Sequence, residues 1–300
     1  MDRSDALHLI QHLTVWANGD QRAPHKPLLV LFSLGRWRRG VTEIPYSDVE
    51  KDLTSLLNEF GPPRRTPHPE QPFWRLQNDG LWLVTGVGTL SPPASDRIPL
   101  VSDLREKEAR GQFTLDFQNA LRNNRGLVSE IARMLLANHF PDSLHEDILN
   151  AVDLQIEDTD AAGRRRDPRF RTQVLMAYEY RCALCGFQLL LSGAPVALDA
   201  AHIQWHQASG PGIVQNGICL CALHHKIFDL GIFTFGHDCI VAVSEEASGT
   251  CGFQENILAY HGKTLRMPIQ HEARPGAEFI AWHLREVFRG RPRPLGTSEP

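Results

Sequence analysis

His202, Asn216, His224 and His225 crowd into residues 199 to 231, DAAHIQWHQASGPGIVQNGICLCALHHKIFDLG. Histidine titrates near neutrality and can take a proton from water, and a second imidazole can hold a divalent cation. Hydrolysis of a phosphodiester asks for both: a base for the attacking water and a cation for the charge that builds on the phosphoryl and leaving oxygens. His202 closes a short apolar strand containing Val196, Ala197 and Leu198 and is the candidate base. His225, on a helix expected from about Leu223, is the candidate ligand of a catalytic Mg²⁺ or Mn²⁺, and Asn216 is placed to orient the loop and hold His202. The rival reading is that 14 histidines in 300 residues cluster without purpose. Order, spacing and flanking residues together argue against it.

A second constellation interleaves with the first. Cys182 and Cys185 form a C-x-x-C, and Cys221 and His224 form a C-x-x-H. Two pairs of that spacing suit a structural, tetrahedral Zn²⁺. Cys219 is disfavoured as a ligand, because Cys221 has the two-residue spacing to His224. A redox C-x-x-C would need a thioredoxin-like setting that the sequence does not offer. A helix turns about 100° per residue, so His224 can face zinc while His225 faces the catalytic metal.

These residues resemble the HNH nuclease family, in which a strand carries the first His, a loop the Asn and a helix the last His. The subgroup pattern A-A-H-I, N-G, L-C, H, F-D-x-G stands here as Ala200 to Ile203, Asn216 and Gly217, Leu220 and Cys221, His225, and Phe228 to Gly231. The resemblance implies a ββα-metal domain that cuts DNA. Two departures stand out. Many members carry a Cys where this chain has His224, and common motifs place a metal-binding Asp immediately before the base, where this chain has Ala201. Asp199 shares a strand face with Ala201 by alternation and is the candidate to replace that Asp as a ligand. Asp229 is read as a turn residue at Gly231 in preference to a carboxylate that supports the metal site.

The elements around this core are read from periodicity. Residues 4 to 17 carry a helical stripe of Leu7, Ile10 and Leu13 with Ser4 as N-cap. The turn-rich loop at 18 to 27 presents Arg22, Ala23, Pro24, His25, Lys26 and Pro27, then enters a helix that ends near Gly40. A helix up to Phe60 precedes a second Pro-rich basic loop, GPPRRTPHPEQPFWRL, with Arg64, Arg65, His68 and Trp74. A strand is expected at 81 to 87, and helices at 102 to 110, 112 to 122, 126 to 138 and 141 to 150. Residues 156 to 169 shift to charged, small and Gly/Pro residues and read as a linker, with Arg164 to Arg166 either touching phosphate or solvated. A helix from Phe170 leads into the Cys pair, small strands follow Gly231, and 276 to 288 form a last amphipathic helix.

The two basic loops resemble the sulfur-binding domain found ahead of HNH modules in phosphorothioated-DNA restriction endonucleases. The likeness rests on R-x-P-H-K-P-L-L at Arg22 to Leu29, and on H-P-E-x-P-F-W-R-L with N-D-G-x-W at His68 to Trp82. It implies a type IV, McrA-like restriction enzyme acting on double-stranded DNA that carries phosphorothioate linkages. Sulfur is larger and less hydrated than the oxygen it replaces, so Pro and Ala edges flanked by cations suit it.

The expected fold class is therefore α+β in two domains. Residues 1–155 form a helix-rich reader, 156–168 a linker, and 169–300 a zinc-supported nuclease domain. A net charge of −4 requires DNA contact to come from local patches. No stretch approaches 18 apolar residues, which predicts a cytoplasmic protein without a membrane anchor. Cutting both strands calls for two active sites, which a homodimer would supply. Two rivals remain: an McrA-like reader of methylated cytosine, which needs an aromatic-walled pocket for a flipped base, and a non-cleaving zinc-containing DNA-binding regulator.

Overall fold

The computed structural model describes residues 1–16, 19–88, 98–156 and 168–294. The chain divides into two compact units, Met1–Asp160 and Ala161–Pro300. Most of the segment expected to be a linker, with Arg164 to Arg166, lies outside the described residues.

The N-terminal unit is built on a helix with no polar face to spare. After α1 (Arg3–Gln11), α2 (His25–Arg38) buries Leu28, Leu29, Val30, Leu31 and Leu34 completely. A helix apolar on every side must be surrounded, and α2 packs against later helices on several of them. The chain continues through β1 (Ile44–Pro45), α3 (Tyr46–Phe60), α4 (Glu70–Arg75), β2 (Trp82–Thr85), α5 (Val101–Glu106), β3 (Arg110–Phe113), α6 (Leu115–Asn123), α7 (Leu127–His139) and α8 (His145–Ala151). Gly35 of α2 lies so close to the end of α8 that a Cβ there would sit 2.0 Å from the Val152 carbonyl oxygen.

Three local expectations change. The α1 cap is Asp2, whose carboxylate accepts from the Asp5 N–H, with Asp5 reciprocating, and not Ser4. The second half of the Pro-rich stretch is helical, because Phe73 and Trp74 of α4 go into the core. Residues 110–113, expected at the junction of two helices, form the central strand of an antiparallel sheet ordered β1-β3-β2. Gly111 explains that strand. It pairs with Val84 and Ile44, and a Cβ there would lie 2.1 Å from the Trp82 ring and 2.7 Å from Phe73. Both rings belong to a run of edge and tilted contacts, Tyr46–Phe73–Trp82–Phe113–Phe117, that ties α3, α4, β2, β3 and α6 together.

The C-terminal unit begins with α9 (Pro168–Ala177). An exposed hairpin of β4 (Leu190–Leu191) and β5 (Ala194–Pro195) follows, and then β6 (Leu198–His202), β7 (Gly217–Cys221) and α10 (Ala222–Asp229). β6 and β7 pair antiparallel from Leu198 opposite Cys221 to His202 opposite Gly217. Every residue of β7 is buried, as expected for a strand covered on both faces. α9 and α10 supply that cover. β8 (Phe233–Phe235), β9 (Val241–Val243), α11 (Phe253–Asn256) and α12 (Ala277–Glu286) complete the unit, with α12 packed on β8. The stretch around Leu258 to Tyr260, expected as strand, is a 3₁₀ turn. This is an α+β chain of two domains with small sheets.

The Gly111 contact predicts a stability effect. Gly111→Ala forces a methyl into the Trp82 ring, which costs about 1–3 kcal/mol. Thermal unfolding of this unit should fall by roughly 2–4 °C for each kcal/mol lost. A melt unchanged by calorimetry would remove the packing argument.

Candidate functional site

The candidate metal ligands come from three short stretches. Cys182 and Cys185 lie in the turn after α9, Cys221 ends β7, and His224 sits in the first turn of α10. The Ala183 N–H donates to the Cys219 carbonyl at 2.7 Å and so docks the turn on β7. Gly186, at φ 73°, lets the chain leave the C-x-x-C in the left-handed region. The candidate ligand atoms of Cys182, Cys185, Cys221 and His224 all lie within 4.8 Å of one another. Tetrahedral zinc with Zn–S of about 2.3 Å spaces its sulfurs by about 3.8 Å, so the set would fit the ion by closing up to about 1 Å.

His224 is oriented for that role. Its Nδ1 faces the sulfurs, 3.2 Å from Cys221 and 3.5 Å from Cys182, and its Nε2 lies 2.7 Å from the Asn256 carbonyl oxygen. A carbonyl can only accept, so Nε2 carries the proton and the Nδ1 lone pair points into the cluster. Burial opposes a charge on His224, but the Cys182 and Cys221 sulfurs outweigh it and hold the ring up to about 10, so a metal ion bound here would displace a proton from Nδ1. Hydrogen bonds from Cys182 and Cys185 push the Cys221 thiol far down, while bonds to Cys182 and Cys221 push Cys185 far up. Groups that must share protons so tightly are the groups a divalent cation relieves.

The next residue of α10 joins a different set. His225 Nε2 lies 3.2 Å from the Asp229 carboxylate, and Nδ1 lies 3.5 Å from that of Asp199 on β6. Burial would depress this imidazole; Asp229 first and then Asp199 overcome it and raise it to about 9. Asp229, expected as a turn residue, is buried against His225, and the turn itself is closed by the backbone through Gly231 N–H to the Phe228 carbonyl. The i, i+4 spacing of 225 and 229 was the available signal.

His202 and Asn216 stand at the other end of the β6–β7 pair. The His202 ring stacks on Phe170 of α9, centroids 4.0 Å apart and planes 17° apart, with His206 tilted at 6.2 Å. Asn216 is fully buried and gives its side chain to the backbone of the intervening loop. Oδ1 accepts from the Gln204 N–H at 2.8 Å, and Nδ2 donates to the carbonyls of Gln204 at 3.0 Å and Pro211 at 2.9 Å.

In the N-terminal unit the two basic loops meet, but their residues divide. Arg22 is buried and donates to the Phe60 carbonyl at 2.6 Å. Lys26 pairs at 2.5 Å with Asp79, which also accepts from the Thr14 N–H at 2.7 Å. Pro24, Pro27 and Trp74 are buried as well. Ala23 and His25 are half-buried, while Arg64, Arg65 and His68 are exposed. Burial, then the charges of Arg64 and His68, push the His25 imidazole below its usual range, against Glu70 and the Pro67 carbonyl. His68, at φ 52°, pairs with Glu70 at 2.9 Å.

Two family models match the chain: the ScoMcrA-like DNA sulfur-binding domain over residues 3–157, and the HNH endonuclease over residues 182–236. Among solved structures, the sulfur-binding domain of SprMcrA complexed with phosphorothioated DNA is 23% identical at a TM-score of 0.42, over 51% of this chain and 95% of that one. The sulfur-binding domain of ScoMcrA, also complexed with phosphorothioated DNA, is 23% identical at a TM-score of 0.43, over 49% and 96%. The type IV phosphorothioation-dependent restriction endonuclease ScoMcrA is 23% identical at 0.41, over 50% of this chain and 35% of that one. No curated protein matches the chain.

The cysteine cluster makes a prediction. Metal analysis of purified protein should find about one zinc per chain, and Cys182→Ser should unfold the C-terminal unit while the N-terminal unit keeps its own melt, because small knuckles take much of their folding energy from the ion. Protein that is folded and free of zinc would rule the assignment out.

Proposed function

The chain belongs to the ScoMcrA-like DNA sulfur-binding domain family and carries an HNH endonuclease domain behind it, and on that premise we propose a modification-dependent endonuclease that reads phosphorothioate linkages in double-stranded DNA and cuts nearby. The observation that carries this is the joining of the two matches, 3–157 and 182–236, in one chain. A reader and a cutter in series is the design of a restriction enzyme directed at modified incoming DNA. We assign residues 1–155 to the reader, 156–168 to the linker and 169–300 to the cutter, acting in the cytoplasm. Two copies would cut the two strands.

In the reader, a phosphorothioate sulfur is poorly hydrated and favours an apolar notch, while the remaining charge favours cations. Ala23 and the lowered His25 supply the notch, and Arg64, Arg65 and His68 supply exposed donors. Arg22, Lys26 and Trp74, committed to Phe60, Asp79 and the core, hold those loops in place.

In the cutter, His202 takes the proton from the attacking water. Asn216 fixes the loop between His202 and itself, so the base keeps its place when DNA presses on that loop. His225 and Asp199 hold a Mg²⁺ or Mn²⁺, a set of imidazole and carboxylate suited to such ions. Asp229 accepts from His225 Nε2 and leaves Nδ1 facing Asp199, the usual arrangement behind a metal-binding histidine. The bound cation supplies charge to stabilise the phosphoryl and leaving oxygens.

Cleavage of matched plasmids with and without phosphorothioate, in Mg²⁺ and in Mn²⁺, tests the function: cutting should require both the modification and the metal. His202→Ala should abolish cutting and leave DNA affinity nearly intact, so near wild-type cleavage by that variant would sink the base assignment. A titration of the full chain separates the readers. Ala23→Asp should reduce the preference for phosphorothioate more than it reduces plain-DNA binding, whereas Arg64→Ala or Arg65→Ala should weaken both and lower the salt slope by about one unit per lost phosphate contact. Equal affinity for modified and plain duplexes, with tight binding to methylcytosine DNA, would transfer the assignment to a base reader.

A further inference from the structure

His202 can turn about two side-chain bonds, and a general base works only while one ring nitrogen points at the water. The β6–β7 ladder fixes its backbone opposite Gly217, and Phe170 meets the ring itself. It is 3% exposed, lies nearly parallel to the imidazole at 17°, and is close enough at 4.0 Å for full face contact. Gly217 makes that approach possible. A Cβ there would lie 2.3 Å from the Val174 methyl and 3.1 Å from the Phe170 ring, so any side chain would lift α9 off the strands. Val174 and Phe170 lie one turn apart on α9 and meet the pair at its His202 end. Arg171, between them in sequence, ties α9 to β6 again through the Leu198 carbonyl at 2.8 Å.

We propose that Phe170 is a positioning residue for His202, its ring serving as the flat support that sets which way the imidazole edge faces. The inference rests on reading His202 as the base. Phe170 lies outside residues 182–236, the stretch matched to the nuclease family, so a determinant of catalysis sits in a helix ahead of the motif.

The test uses the full, zinc-loaded chain. Phe170→Leu keeps the buried apolar volume and removes the flat face, and Phe170→Tyr keeps the face. With DNA affinity and zinc content unchanged, Phe170→Leu should slow single-turnover cleavage by about 10- to 100-fold, since a base misplaced by a fraction of its reach loses that much. It should also shift or broaden the limb of the rate–pH profile set by the base, and Phe170→Tyr should restore both. Nuclear magnetic resonance of histidine-labelled wild-type protein gives an activity-free readout. Stacking should move the His202 ring protons upfield, and Phe170→Leu should return them toward free imidazole. Unshifted His202 protons in the wild type, or wild-type rate and pH profile in Phe170→Leu, would overturn the proposal. If His202→Ala still cuts while the ring protons are upfield and respond to Phe170, the base assignment fails and the stacking stands as a structural contact only.

Discussion

One helical step of about 100° separates two clusters of side chains in this chain. His224 and His225 are neighbours in sequence, yet the first faces three sulfurs and the second lies between two carboxylates. Both assignments require α10 to begin at the residue after Cys221, because a start one position later would rotate each imidazole away from its partners. The β6–β7 register fixes that start: Cys221 pairs with Leu198, the Ala222 N–H bonds the Ala197 carbonyl, and the strand gives way to helix there. The Cys182, Cys185, Cys221 and His224 cluster then meets the same point from outside the sheet. Ladder, cluster and helix are thus three constraints on one junction, and the placement of His225 against Asp199 follows from all of them.

The residues legible in the sequence were those whose partners are near in sequence or paired by short spacing. The C-x-x-C and C-x-x-H pairs do come together in the fold, and Asp199 on the five-residue strand β6 lies beside His225. What sequence could not reveal was set by long-range contacts with no local signature. Arg22 and Lys26 read as cations for DNA, and the sequence did not reveal that they bond Phe60 and Asp79, 38 and 53 residues away. Phe170 opened the helix expected ahead of the Cys pair, and only the folded chain brings it over His202. The strand at 110–113 was missed for a related reason: a four-residue strand of Arg, Gly, Gln and Phe has little alternation of its own, and its β character comes from the aromatic rings packed over Gly111.

The N-terminal unit spends charge to hold shape. Lys26 and Asp79 pair with little exposure, and Asp79 also gathers the Thr14 N–H, so three segments of the chain converge on one carboxylate. A buried pair of this kind contributes less to net stability than to the choice of one arrangement. Its effect here is to hold the first basic loop in one arrangement. The second loop, by contrast, keeps Arg64, Arg65 and His68 at the surface.

Asn216 anchors the loop from Gln204 to Pro211 entirely through main-chain groups. An anchor that engages only N–H and C=O atoms is indifferent to the side chains at positions 206 to 209. Of these, His206 lies near the His202 ring and Ser209 holds a left-handed backbone at φ 63°, so change falls most easily on Gln207 and Ala208 while the strands on either side stay as they are. The segment is a built-in place for the protein to evolve.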